Sequence, residues 1–233
     1  MARAAWFVVI AVLIGSMAGC GNPVRDKIEH GIRDSMPEMI GPADVYEVRV
    51  YGATPRLLKG KLDGLDIDGA NVVLPNGLKL ANLDVKIRDL VVDPKTKELK
   101  KAGSTDYTAV IAEHELNRYV TRLYPDVPDL NIDLRSGYVT TIARPGLSKL
   151  KVMVEADTKV NVINQRVVAL DFKKMDVAGV GVPGAAVNYL ESKLDAIFDA
   201  QDLGFDARIT SVSITNSSIT LAGTLDLMKG PAQ

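Results

Sequence analysis

The chain has 233 residues, with 28 basic against 29 acidic side chains and one cysteine. Near-neutral charge without a basic stripe argues against a nucleic-acid-binding protein, and a lone cysteine excludes a fold stapled by internal disulfides. The length suffices for one large domain or two small ones with a real hydrophobic core.

The first segment, MARAAWFVVIAVLIGSMAG, carries one positive charge at Arg3, an uncharged apolar block from Ala4 to Ile14, then small residues. Those are the parts of a signal peptide, and the apolar block is too short for a permanent membrane span of roughly twenty residues. Met17-Ala18-Gly19-Cys20 resembles a bacterial lipobox, with Met17 where leucine is usual. The expectation is cleavage before Cys20 and attachment of palmitate-type acyl chains to Cys20 and the new amino terminus. Two or three such chains anchor a protein stably, whereas one binds marginally. Residues 20–233 then carry 27 basic against 29 acidic residues, a net charge of −2.

Beyond the tether, Val24, Ile28, Ile32, Met36 and Met39 recur at steps of three or four. This spacing predicts an amphipathic helix over 24–40, its regularity broken by Pro37 and its end set by Gly41-Pro42. From residue 45 the period becomes two. VYEVRVY (45–51), 62–74 and 78–92 read as strands with one wet face, hence antiparallel, and Asn76-Gly77 marks a hairpin.

Residues 106–124 align Ala109, Ala112, Leu116, Tyr119, Val120 and Leu123 and predict a second helix closed by Pro125. Strand patterns resume at 130–134, 137–143, 147–163 and 166–177. A third helix is predicted over 183–200, with Val187, Leu190, Leu194, Ile197 and Phe198 on one face and Pro183 at its start. Two strands around the turn at 215–218 close the chain. Strands and helices do not alternate one for one, so a doubly wound α/β fold is disfavoured. The fold class expected is α+β: a strongly curved, mainly antiparallel β-sheet wrapped around amphipathic helices.

Catalytic and metal motifs fail on spacing. His114-Glu115 lacks a second histidine four positions on, where Arg118 stands, and His30 and His114 read as surface residues. Asp66–Asn71 opens like a calcium loop, but Gly77 occupies the place of the twelfth-position glutamate, so the segment reads as a turn between strands. There is no Gly-x-Ser-x-Gly elbow, phosphate loop or dinucleotide fingerprint. The expectation is a protein that is not an enzyme and takes no cofactor. Its remaining asset is apolar strand and helix surface, which would suit a lipid groove; patterning alone does not separate that from a plainly packed core, and the tight packing usual in interiors favours the core.

Three stretches change that balance: YGATPRLLKGKLDGLDIDGANVVL, AVIAEHELNRYV and FDARITSVSITNSSITLAGTLDL. In order and spacing they resemble the LmeA-type phospholipid-binding proteins, envelope proteins related to the tubular lipid-binding (TULIP) folds, over residues 24–227. The resemblance implies a long curved sheet around helices, an elongated apolar groove and binding of phospholipid or a related envelope lipid. It carries over no catalytic residues.

The expected organisation is a signal peptide at 1–19, an acylated terminus and helix at 20–41, one lipid-binding domain at 42–229 and a tail at 230–233. The expected location is the cell envelope, on the outer face of the cytoplasmic membrane or on the outer membrane, held by acylated Cys20. The expected role is lipid binding by the face Val187, Leu190, Leu194, Ile197 and Phe198, for transfer or envelope maintenance. The alternative is a structural or assembly lipoprotein that docks an envelope protein partner without a lipid cavity.

Overall fold

The computed structural model describes residues 22–96, 98–144, 153–176, 188, 196–203 and 205–229. Helix α1 spans Pro23–Met39. The Asn22 side chain accepts from the Arg25 N–H, and Pro23 occupies the first turn, where a missing N–H costs nothing. The helix runs through Pro37 to its end two residues later, and its buried Ile32 and Met36, with Ile40 beyond, join the core.

Next come β1 (Val45–Tyr51), a one-turn helix α2 (Thr54–Leu57), β2 (Lys61–Val73), β3 (Lys79–Val92), β4 (Leu99–Lys101), β5 (Thr105–Ala112) and α3 (Glu113–Leu123). Then β6 (Asn131–Arg135), β7 (Tyr138–Ala143), β8 (Val154–Ile163), β9 (Val167–Asp176), β10 (Phe198–Asp199), a 3-10 turn (Ala200–Leu203), β11 (Asp206–Ile214) and β12 (Ser218–Asp226) follow.

These strands form two sheets, paired antiparallel throughout. One has the order β1-β2-β3-β5-β12-β11, with β4 beside β3; the other is β10-β9-β8-β7-β6. One sheet is strongly curled into a half-barrel, and the α+β class expected from the patterning holds. Along the β2–β3 hairpin, buried cross-strand pairs run Leu62–Leu90, Leu65–Ile87, Ile67–Val85, Leu83–Gly69 and Val72–Leu80. Strict alternation is broken twice, and the left-handed residues Asp89 and Asn71 stand at the two breaks. At each break the buried set of β2 changes parity, from Leu62 to Leu65, Ile67 and Gly69 and then to Val72, while the β2–β3 register stays constant.

The turn joining β2 to β3 is the predicted Asn76-Gly77 hairpin. Gly77 takes φ +85°, and the Asn76 Oδ1 accepts from the Leu78 N–H. Asn76 also donates to the Tyr119 hydroxyl at 3.1 Å and to the Asp202 carboxylate at 2.7 Å, pinning the turn to α3 and to the 3-10 turn. Burial raises the Asp202 carboxyl above the ordinary range. A carboxyl raised by folding binds its proton more tightly in the native state, so stability falls as pH rises from the unfolded pKa through the raised folded one, and the loss persists at neutral pH. Asp202→Asn keeps an oxygen for Asn76 and removes the half-buried charge. Its melting temperature is expected above wild type at pH 7 and equal to it near about pH 3, below the carboxylate range, as read by calorimetry at both values.

Helices guard one edge of each sheet, β1 and β6. The Glu29 carboxylate of α1 accepts from the Val50 N–H of β1 at 2.8 Å. On the other sheet, Glu113 accepts from the Leu134 N–H, and Asn117 both accepts from the Ile132 N–H and donates to the Ile132 carbonyl, at 2.6 Å each way. Edge strands that would otherwise present open ladders are thereby closed.

Three sequence expectations need correction. The helix predicted over 106–124 is a strand followed by a helix, because Thr105, Tyr107, Ala109 and Ile111 are buried in alternation and only from Glu113 does the 3.6-residue period take over. The segment 66–71 is no turn; it lies within continuous β2, its aspartates on the wet face. The helix predicted over 183–200 does not extend over 198–200: Phe198 and Asp199 form a strand, with Phe198 paired with Val168, and a 3-10 turn starts at Ala200, while most of 183–195 lies outside the described residues.

Candidate functional site

The inner face of the half-barrel is built from cross-strand rows. One row runs Val48, Ile67, Val85, Tyr107, Gly223, Ile209 across all six strands. A parallel row runs Tyr46, Gly69, Leu83, Ala109, Leu221, Val212. Ten of these twelve residues are hydrophobic side chains and the other two are glycines, so the inner wall is apolar from edge to edge. The outer face of the same strands is charged: Arg49, Asp66, Lys86, Asp106, Thr224 and Arg208 stand in one row. Arg88 bonds Asp66 at 2.5 Å and Arg49 reaches Asp68 at 3.4 Å. Asp68 stands opposite Asp84, and its carboxyl is raised by burial and by sharing a hydrogen bond with that neighbour.

Polar atoms on the inner wall are few. Tyr46 donates to the Gly41 carbonyl at 2.8 Å, and burial pushes its hydroxyl up to about 12. Tyr107 lies over Gly223, where a side chain would strike the ring, and burial raises its hydroxyl further. The Tyr107 and Thr105 hydroxyls are buried without a hydrogen-bond partner among the described residues. A hydroxyl that makes no bond adds nothing to the folded state. Tyr107→Phe is therefore expected to change unfolding free energy by less than about 0.5 kcal/mol or to stabilise slightly. Chemical denaturation measures it, and a loss above about 1.5 kcal/mol would show that the hydroxyl is bonded in solution.

At one end of the half-barrel a cleft of about 380 Å³ lies between the 102–106 segment, the start of β11 and the end of β12. Thr105 lies in its lining beside Leu225, Leu227 and Met228, with Asp106, Asp206, Arg208 and Asp226 around them. Lys229 ties the lip together through Asp226 at 3.2 Å and Asp206 at 3.5 Å.

The structure places the residues singled out from sequence unevenly. Cys20, Val187, Leu190 and Leu194 lie outside the described residues. Ile197 and Phe198 are buried in the common core, at 4% and 2% exposure. They do so from the edge of the five-stranded sheet, with the Ile197 N–H donating to the Val168 carbonyl at 2.8 Å. The wall positions on β5 were hidden in the helix prediction, although the alternation of TDYTAVIA at 105–112 carried them. His30 and His114 are exposed. Among the described residues no group of side chains has the makings of a metal site, and no helix is long and apolar enough to cross a membrane.

A family model described as LmeA-like phospholipid-binding matches residues 24–224, which takes in α1, the half-barrel and all but the end of β12. The chain belongs to this LmeA-like family. Neither the curated proteins nor the solved structures compared with it gave a match. Family membership agrees with the apolar inner wall in assigning phospholipid binding to this chain.

Proposed function

We propose that the protein is an envelope lipoprotein, anchored through acylated Cys20, which shields the acyl chains of a phospholipid against the inner wall of its half-barrel. It hands lipid on or holds it for envelope maintenance, without altering it chemically. The observation that carries this reading is the unbroken apolar inner face of six strands in a chain of a phospholipid-binding family. Each methylene of a lipid tail moved from water onto such a wall contributes about 0.8 kcal/mol, so stable capture requires most of the length of both acyl chains to be covered.

Native mass spectrometry of residues 21–233, produced in a bacterial periplasm, tests it. Added mass matching a phospholipid is expected. A bare mass that stays unchanged after incubation with phospholipid vesicles overturns lipid binding and leaves docking of a protein partner. The anchor is tested apart from this: a palmitate analogue fed to cells expressing the full chain is expected to label it and to leave Cys20→Ser unlabelled.

A further inference from the structure

The cross-strand register shows which loops share an end of the half-barrel. Strand β1 finishes at Tyr51, which pairs with Gly64, and Gly64 pairs with Arg88. Two residues further in, Arg49, Asp66, Lys86, Asp106, Thr224 and Arg208 form one row across all six strands, so the strand ends beyond that row lie together. The 52–60 loop, the 93–104 segment and the 227–229 turn therefore form one rim, and the cleft beside Thr105 opens on it.

The chain enters at that rim. The Asn22 amide donates to the Thr54 hydroxyl at 2.7 Å, and Arg25 donates to the Gly52 carbonyl at 3.2 Å, so the start of α1 is fastened to the 52–60 loop. Two residue steps separate Cys20 from Asn22, and at about 3.5 Å per residue they span no more than about 7 Å. A lipid-anchored Cys20 thus holds this rim, and no other part of the half-barrel, against the bilayer.

The rim's surface suits that position. Tyr51, Leu58 and Met228 are 43%, 45% and 54% exposed. Lys59, Lys61, Lys95 and Lys101 are exposed and make no salt bridge among the described residues. The loops of the opposite end, 41–44, 74–78 and 215–217, hold no basic residue of their own; one guanidinium, that of Arg122 from α3, lies on the 74–78 turn and donates to the Asn76 carbonyl at 3.3 Å. Exposed apolar side chains ringed by lysines are the chemistry of an interface with anionic lipid, where each lysine adds attraction and each apolar tip enters the headgroup boundary.

Resting on the lipid-binding and anchoring reading above, we propose that the rim bearing Tyr51, Leu58 and Met228 docks on the anionic membrane that holds Cys20, and that lipid enters the half-barrel through the cleft at this rim. The tether fixes the orientation, the lysines hold the rim to the surface, and Leu58 and Met228 dip into it.

The test uses the full acylated protein in phosphatidylglycerol vesicles, with a fluorophore on a cysteine introduced by Leu58→Cys, Met228→Cys or, at the opposite end, Val45→Cys. Spin-labelled lipids are expected to quench the probe at 58 and 228 and to leave it bright at 45. Quenching at 45 alone, or equally at both ends, overturns the proposal. The portal is tested with Leu58→Asp combined with Met228→Asp. Uptake of a fluorescent phospholipid from the host vesicle is expected to slow at least about tenfold, while loading from detergent micelles and the rate of Val45→Asp stay at wild type. Unchanged uptake in the double variant, or slowing in Val45→Asp, overturns it. Failure of the parent readings is separately visible: no lipid taken up from micelles sinks the lipid-binding reading, and an unacylated Cys20 removes the tether and this proposal with it.

Discussion

Gly223→Ala is expected to cost at least about 3 kcal/mol, and Gly223→Val to leave little cooperative folding. A Cβ on Gly223 falls 1.9 Å from the Arg208 carbonyl oxygen and 2.7 Å from the Tyr107 ring. The ring could swing away, but the carbonyl belongs to the backbone of β11, paired to β12 across a bulge between Ile209 and Ser211. Relief means prying the last strand off the half-barrel. Overpacking a core by a methyl group costs about 1–3 kcal/mol where side chains yield; here a backbone must yield, against a total stability of about 5–15 kcal/mol. Urea denaturation reads the effect. A loss below about 1 kcal/mol for Gly223→Ala would mean that β11 is held less closely than the structure has it.

Asn117→Ala is expected to cost about 2–4 kcal/mol and to expose the Ile132 amide to hydrogen exchange. Asn117 acts as a peptide group donated by α3 to the edge of β6, bonding both backbone atoms of Ile132. Ile132 is 1% exposed, so water does not readily replace the amide, and each buried backbone group left unmet costs about 1–3 kcal/mol. Asn117→Asp keeps the acceptor and loses the donor, so an intermediate loss is expected. Exchange at Ile132 no faster than wild type in Asn117→Ala would refute this role. Together the two substitutions probe opposite sheets, one at a close backbone approach and one at a helix-guarded edge.

Much of this architecture was legible along the chain. The period-two runs at 45–51, 62–74 and 78–92 became β1, β2 and β3, Asn76-Gly77 made the hairpin between them, and the closing pair turned at 215–218 as expected. Where reading failed, two patterns overlapped. In 106–124 the apolar residues Ala109, Ala112, Leu116 and Tyr119 fit a helical face, yet Thr105, Tyr107, Ala109 and Ile111 fit a strand equally well. The partner strands β3 and β12 decided between them, by offering a ladder on both sides of β5. Likewise Asp66, Asp68 and Gly69 have turn chemistry, but each sits opposite a β1 and a β3 residue and is held extended by both.

The candidate site divides the same way. Sequence by itself determined that the chain has apolar strand faces and an apolar N-terminal run that leads to Cys20, because composition and periodicity are local properties. It also carried the family, since the order and spacing of apolar positions survive as a pattern. Only the tertiary structure decided that the faces of six strands join into one wall, that Tyr107 and Thr105 carry the unbonded hydroxyls on it, and that Asn22, Leu58 and Met228 share a rim. Those are juxtapositions of residues up to two hundred positions apart. They are set by strand register, and no local pattern encodes which strand lies beside which.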